Sequence, residues 1–178
     1  MAKIFKGIVI TSSKFTEPYL ETCLDSLKNA PYTVLVVGND YVPKTDTLLA
    51  INDWNAWELG GIAQGKKHFD EFIHIMDSTL IKDMTLFDEL FKIDGNVFLT
   101  NGGYHYMGKF VSNTLPEIPK ISTKQDAIAY ELTWLKKPYT NFEPDLPVHT
   151  DVFEEKFGQN RMKLENKYII KWKGTYSL

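Results

Sequence analysis

The stretch "EFIHIMDSTLIKD", Glu71 to Asp83, decides how this chain is read. A short, largely apolar run from Phe72 to Met76 delivers one carboxylate, Asp77, and then two hydroxyls, Ser78 and Thr79. Such a run fits a strand buried on both faces. An acid and two hydroxyls at its end fit a surface turn. They fit equally a site that holds a metal or a phosphate at the carboxyl end of a sheet strand.

The segments upstream repeat the pattern. "FKGIVITSS" reads as a strand through the β-branched Ile8, Val9 and Ile10. "EPYLETCLDSLKNA" places Leu20, Cys23, Leu24 and Leu27 at helical spacing, with Pro18 at a helix start. "YTVLVVGND" is a second buried strand that ends on Asn39 and Asp40. "WELGGIAQGKKHF" reads as a helix despite three glycines. Downstream, "MTLFDELFKI" reads as a compact helix and "GNVFLT" as a strand. "TKQDAIAYELTWLKK" reads as a helix, "NFEPDLPVHTD" as a proline-punctuated loop and "NKYIIKWKG" as a late strand.

Apolar strands that alternate with helices predict an α/β fold, a mostly parallel sheet with helices on both faces. Ligands of such sheets bind beyond the carboxyl ends of the strands. That rule gathers Thr11–Ser12, Asn39–Asp40 and Asp77–Ser78–Thr79 along one rim.

With 178 residues and no internal repeat or linker, the chain is expected to form a single domain over 1–178. A composition of 43% hydrophobic and 24% charged residues argues against a disordered chain. The net charge of −3 leaves no basic excess for nucleic acid. One cysteine, Cys23, excludes an intrachain disulfide and fits a small core residue. The opening "MAKIFKGIVITSS" is too short in apolar character for a signal peptide or a membrane span. A soluble, cytoplasmic protein is expected.

The order of these pieces resembles a glycosyltransferase of the GT-A fold, the Rossmann-like fold of nucleotide-diphospho-sugar transferases, most like the inverting family 2 enzymes. "IVITSSKFTEPYLETCLDSLKNAPYTVLVVGND" is similar to that family's opening block, and "ELGGIAQGKKHFDEFIHIMDST" to the block that carries its Asp-x-Asp motif. The resemblance is close over about the first 80 residues and loose beyond. It departs at Thr79, where the family has its second Asp.

The resemblance implies transfer of a sugar from a nucleotide-diphosphate donor, a UDP-sugar being favoured, to the hydroxyl of a glycan or other acceptor. Inversion by direct displacement is implied, with a carboxylate as base. Thr11, Ser12, Asp40, Gly60, Gly61, Ser78 and Thr79 would line the nucleotide-sugar site. Asp77 would hold a divalent ion, Mn²⁺ or Mg²⁺, both of which prefer oxygen ligands, and a late histidine, His149, would be a second ligand. Arg161, Lys163, Lys171 and Lys173 offer cations for the diphosphate. The base falls to Glu131 inside the helix, with Asp126 at its start as the second choice. Asp126 is equally a first-turn acid that favours the helix dipole. The loop with Gly102, Gly103, Tyr104 and His105 would lie near donor sugar and acceptor.

Three rivals are weighed. A haloacid-dehalogenase-type phosphatase needs an Asp where Thr79 stands. A nucleotidyltransferase would show a glycine-rich basic loop after the first strand, and "TSSKFTEP" has no glycine. A GT-A domain with weakened catalysis, binding a nucleotide sugar or glycan, is the non-enzyme reading and draws on Thr79.

Overall fold

A computed structural model describes residues 4–52, 57–99, 107–121, 123, 125–127, 129–130, 140–142, 148–154 and 159–174. In chain order the elements are β1 (Ile4–Ser12), α1 (Glu17–Leu27), β2 (Thr33–Asn39), β3 (Leu48–Asn52), α2 (Trp57–His68), β4 (Phe69–Met76) and β5 (Thr79–Ile81). They continue with α3 (Thr85–Lys92), β6 (Val97–Phe98), β7 (Gly108–Val111), β8 (Thr140–Asn141), β9 (Val148–Glu154), β10 (Gln159–Glu165) and β11 (Ile169–Gly174). None of the helices among the described residues is long and apolar enough to cross a membrane.

Among the described residues, seven strands form the main sheet in the order β3-β2-β1-β4-β7-β6-β8. The four strands β3, β2, β1 and β4 run parallel, and β7 is antiparallel to both β4 and β6. The expected mostly parallel sheet is therefore present. Strand alternation sends its side chains into two cores. Ile8, Ile10, Val36, Ile73 and Ile75 pack against Leu20, Cys23 and Leu27 of α1 and Leu86, Phe87 and Leu90 of α3. Val9, Leu35, Val37 and Phe72 pack on the other face against Leu59 and Ile62 of α2. Helices cover both faces, and Cys23 is a buried core residue.

The glycines of α2 have a packing reason. A Cβ at Gly65 would fall 2.5 Å from the Phe72 ring, and one at Gly61 would fall 1.9 Å from Thr11 Oγ1. Each glycine inside a helix costs about 1 kcal/mol against alanine. Here the bare backbone lets the helix settle directly onto β1 and β4. A buried lysine supports α3: Lys109 Nζ on β7 donates to Ile93 O at the helix C-terminus, 2.6 Å away, where a cation is favoured.

The carboxyl-terminal part corrects the sequence reading. A second sheet, β5-β11-β10-β9, is wholly antiparallel and was not expected. The loop expected over "NFEPDLPVHTD" is strand at its start and end, because Val148, Thr150 and Val152 place β-branched residues at every second position. The strand expected over "GNVFLT" shrinks to Val97–Phe98. Of the helix expected over "TKQDAIAYELTWLKK", residues 125–127 and 129–130 are described and helical.

The small sheet carries a charge clasp. Glu165 on β10 accepts from Lys163 at 2.7 Å and from Lys82, just after β5, at 2.8 Å. Lys163 and then Lys82 hold its carboxyl at about 2, below its ordinary 4.5. A folded value below the unfolded one makes the stabilisation complete above pH 4.5 and lost as pH falls towards 2. Urea unfolding midpoints measured downward from about pH 5 should therefore fall less steeply for Glu165→Gln than for the wild-type chain.

Candidate functional site

The parallel strands β1, β2 and β4 end side by side. Ser12 is opposite Gly38 and Thr11 is opposite Met76, so Ser12, Asp40 and Asp77 leave neighbouring strands at one rim. The Asp77 N–H donates to Thr11 O at 3.0 Å, which ties the two central strand ends together.

Asp77 is 2% exposed, and its carboxylate is heavily engaged. Its Oδ2 accepts from Ser12 Oγ at 2.8 Å, Thr16 Oγ1 at 2.7 Å and the Ser13 N–H at 3.3 Å. Each hydroxyl has one proton. Since Ser12 gives its proton to Asp77, Tyr41 must donate to Ser12 across their 3.1 Å contact. Likewise Ser13 Oγ must donate to Thr16 Oγ1 across 2.7 Å. Two hydroxyl relays thus converge on one carboxylate oxygen. Burial pushes the Asp77 carboxyl above its ordinary value, against the pull of Thr16, Ser12, Lys171 and the Ser13 N–H. Burial also raises Tyr41 to about 12, which suits a neutral donor.

Ser78 and Thr79 turn away from the rim into the small sheet. Lys171, 4% exposed on β11, donates from Nζ to Ser78 Oγ, and the Trp172 N–H donates to Ser78 O at 3.0 Å. Thr79 begins β5, directly opposite Lys171, and its hydroxyl lies 3.9 Å from the Met107 sulfur. Arg161 lies on the opposite face of the small sheet from Lys171, by the register of β10 and β11. Its guanidinium sits 5.8 Å from the Tyr19 ring, which stacks on Trp172 at 5.2 Å. Lys173 lies on β11 opposite Met162.

The remaining rim residues divide by strand face. Thr11 points away from Asp77, towards α2, where its hydroxyl meets His74 Nε2 at 2.7 Å. Gly61 packs over that pair. Gly60 packs over an amide chain in which Gln64 donates to Asn52 at 2.5 Å and Asn52 to Asn39 at 2.7 Å. Asp40 has φ +51, the left-handed region that Asp tolerates better than most residues, and its N–H donates to Asn52 O. Its carboxylate is exposed.

Asp126 is a helix cap. Its carboxylate accepts from Thr123 Oγ1 at 2.7 Å while its own N–H donates back to that hydroxyl at 3.1 Å. Glu131, Gly102, Gly103, Tyr104 and His105 lie outside the described residues.

A divalent cation needs several oxygen ligands. Among the described residues, no three His, Cys, Asp or Glu side chains gather to hold one. His149 stands on β9 opposite Leu164, in a row that continues through Lys171 to Thr79. That puts its backbone three strand spacings, roughly 14 Å, from Thr79. Asp77 Oδ2 is engaged by three donors, and no group of three ligating side chains includes Asp77 among the described residues, so these residues do not fit a cation held there.

Sequence reasoning passed over Ser13, Thr16 and Tyr41. Thr16 occupies the N-cap position of α1, where a Thr ordinarily bonds to its own helix. Its hydroxyl makes no such bond and goes to Asp77 instead. Only the three-dimensional meeting of residues 61 positions apart shows this.

By sequence the chain matches no family model and no curated protein. By structure it is similar to S. aureus TarS, in the crystal structure of TarS 1–349, with a TM-score of 0.53 and 14% identity. The likeness is one of fold. TarS is a family 2-like glycosyltransferase, and what is shared is a Rossmann-like, GT-A-like α/β architecture. The match covers 80% of this chain and 59% of the TarS chain.

Two substitutions test the site's construction by urea denaturation. Asp77→Ala strands two hydroxyls, an N–H and a nearby buried lysine, and should lower stability by about 3 kcal/mol. Gly61→Ala forces a methyl against Thr11 and His74 and should lower it by about 1–3 kcal/mol.

Proposed function

We propose that the whole chain acts as one glycosyltransferase-type domain. It takes a nucleotide-diphospho-sugar, a UDP-sugar by preference, at the rim of β1, β2 and β4, and passes the sugar to an acceptor hydroxyl. One observation carries this reading. In a fold shared with a glycosyltransferase, three parallel strands end together on polar residues built around a buried acid.

In this reading the exposed Asp40 accepts from a nucleobase N–H, and the Ser12–Thr16 loop, fixed by Asp77, borders the diphosphate. Asp126 is occupied as a cap, so Glu131 is the carboxylate that removes the acceptor's proton as the sugar–phosphate bond breaks with inversion. One observation favours a second reading, a domain that binds nucleotide sugar or glycan with weakened catalysis. The motif's second carboxylate is replaced by the buried Thr79.

Thermal melting with a panel of nucleotide sugars tests the donor site. A ligand at 100 times its dissociation constant adds about 2.7 kcal/mol, a readily measured shift. Asp40→Asn keeps a residue that tolerates the left-handed backbone and should lose the shift without changing the ligand-free melting point. No shift with any nucleotide sugar would overturn the reading. Where a donor binds, Glu131→Gln should leave its affinity intact and slow transfer by about 10²- to 10⁴-fold. Donor binding with no wild-type turnover would select the second reading.

A further inference from the structure

We infer that Lys171 stands in the place of the divalent cation expected at this strand end, so that the chain binds a donor diphosphate without a metal ion. The inference rests on the donor reading above and deepens it.

The geometry at the end of β4 points this way. The position two residues after Asp77, where the resemblance calls for a second acid, is Thr79, 1% exposed. Directly across the strand from Thr79 is Lys171. The site therefore lacks one negative charge and has a positive one opposite the same position. Lys171 is bonded to Ser78, the residue that follows Asp77. An isolated ammonium or carboxylate is costly to bury, and opposite charges side by side reduce that penalty.

A divalent ion would enter this arrangement badly. Asp77 Oδ2 is committed to Ser12, Thr16 and the Ser13 N–H, so ligation through that oxygen would compete with three hydrogen bonds. The ion would also sit beside a like charge in a buried, weakly screening setting. The ammonium instead arrives covalently attached to β11 and fixed by the small sheet. It balances Asp77 permanently, where a metal would have to be recruited.

The first test is Mn²⁺ alone titrated into the wild-type chain, with free ion read by electron paramagnetic resonance. No saturable binding is expected at millimolar ion. Saturable binding that disappears in Asp77→Asn would overturn the inference. The second test is the melting shift given by UDP, expected to be the same in EDTA and in Mn²⁺. A UDP shift seen only with Mn²⁺ would overturn it. UDP that shifts melting in neither buffer counts against the donor reading, and the Mn²⁺ titration then decides this inference by itself. Lys171→Ser removes the charge and opens the position. Mn²⁺ should raise the melting temperature of that variant and not of the wild type. A folded Lys171→Ser protein indifferent to Mn²⁺ would count against Lys171 as the substitute.

Discussion

The buried carboxylate of Asp77 is the constraint on which the rest of the rim depends. It closes β4, and after Ser78 the chain enters β5 of the other sheet. Two residues thus join the two sheets. Any slack there would be felt in both. The carboxylate removes the slack by holding the entrance to α1 through Ser12, Ser13 and Thr16, while Ser78 takes bonds from Lys171 and Trp172. A buried acid accepting several donors is worth its desolvation only if all of them stay in place. The site is therefore built to be rigid at its base.

Strand alternation divides the rim into two compartments. Ser12 faces α1 and joins the Asp77 cluster, whereas Thr11, one residue earlier, faces α2 and joins His74. Successive side chains on a strand point to opposite faces, so no sequence of this spacing can aim both hydroxyls at one ligand. The α2 side is closed by glycines that bring the helix down on Thr11 and on the Asn39–Asn52 amides. Gly60 and Gly61 thus act on the site through packing, by fixing the backbone at the ends of β1 and β2.

Much of this was legible in the sequence. The strand ends, the helices α1, α2 and α3 and the single rim follow from continuous apolar runs and helical spacing, because buried parallel strands write themselves as such runs. Of the small sheet, β11 was legible as a late strand and the rest was not. Its β10, "QNRMKLE", is largely polar and carries no apolar run. Its pairing partners come from far along the chain, Thr79 with Lys171 above all. The glycines of α2 lowered its helical signal for the same reason, since their benefit lies in contacts with β1 and β4. The role of Asp77 was half legible: its place at a strand end could be read, and the hydroxyls that claim it could not.

Asp40 and Asp77 show how one rim can give one residue type two duties. Both follow a parallel strand of the same sheet, and β1 lies between the two strands. Asp40 leaves β2 through a left-handed residue that swings its side chain into solvent. Its structural work is done by its backbone N–H, on Asn52 O, and its side chain stays exposed. Asp77 leaves β4 into a turn enclosed by α1 and β11, and one oxygen of its buried carboxylate is taken up by the protein. Position along the sheet decides the difference. β4 is central and flanked by β1 and β7, whereas β2 lies nearer the edge with only β3 beyond it. An acid at the centre must be satisfied internally, because water does not reach it. An acid nearer the edge keeps its hydration until something displaces it. In this fold, then, the outer acid stays open to solvent and the rigidity of the rim belongs to the inner one.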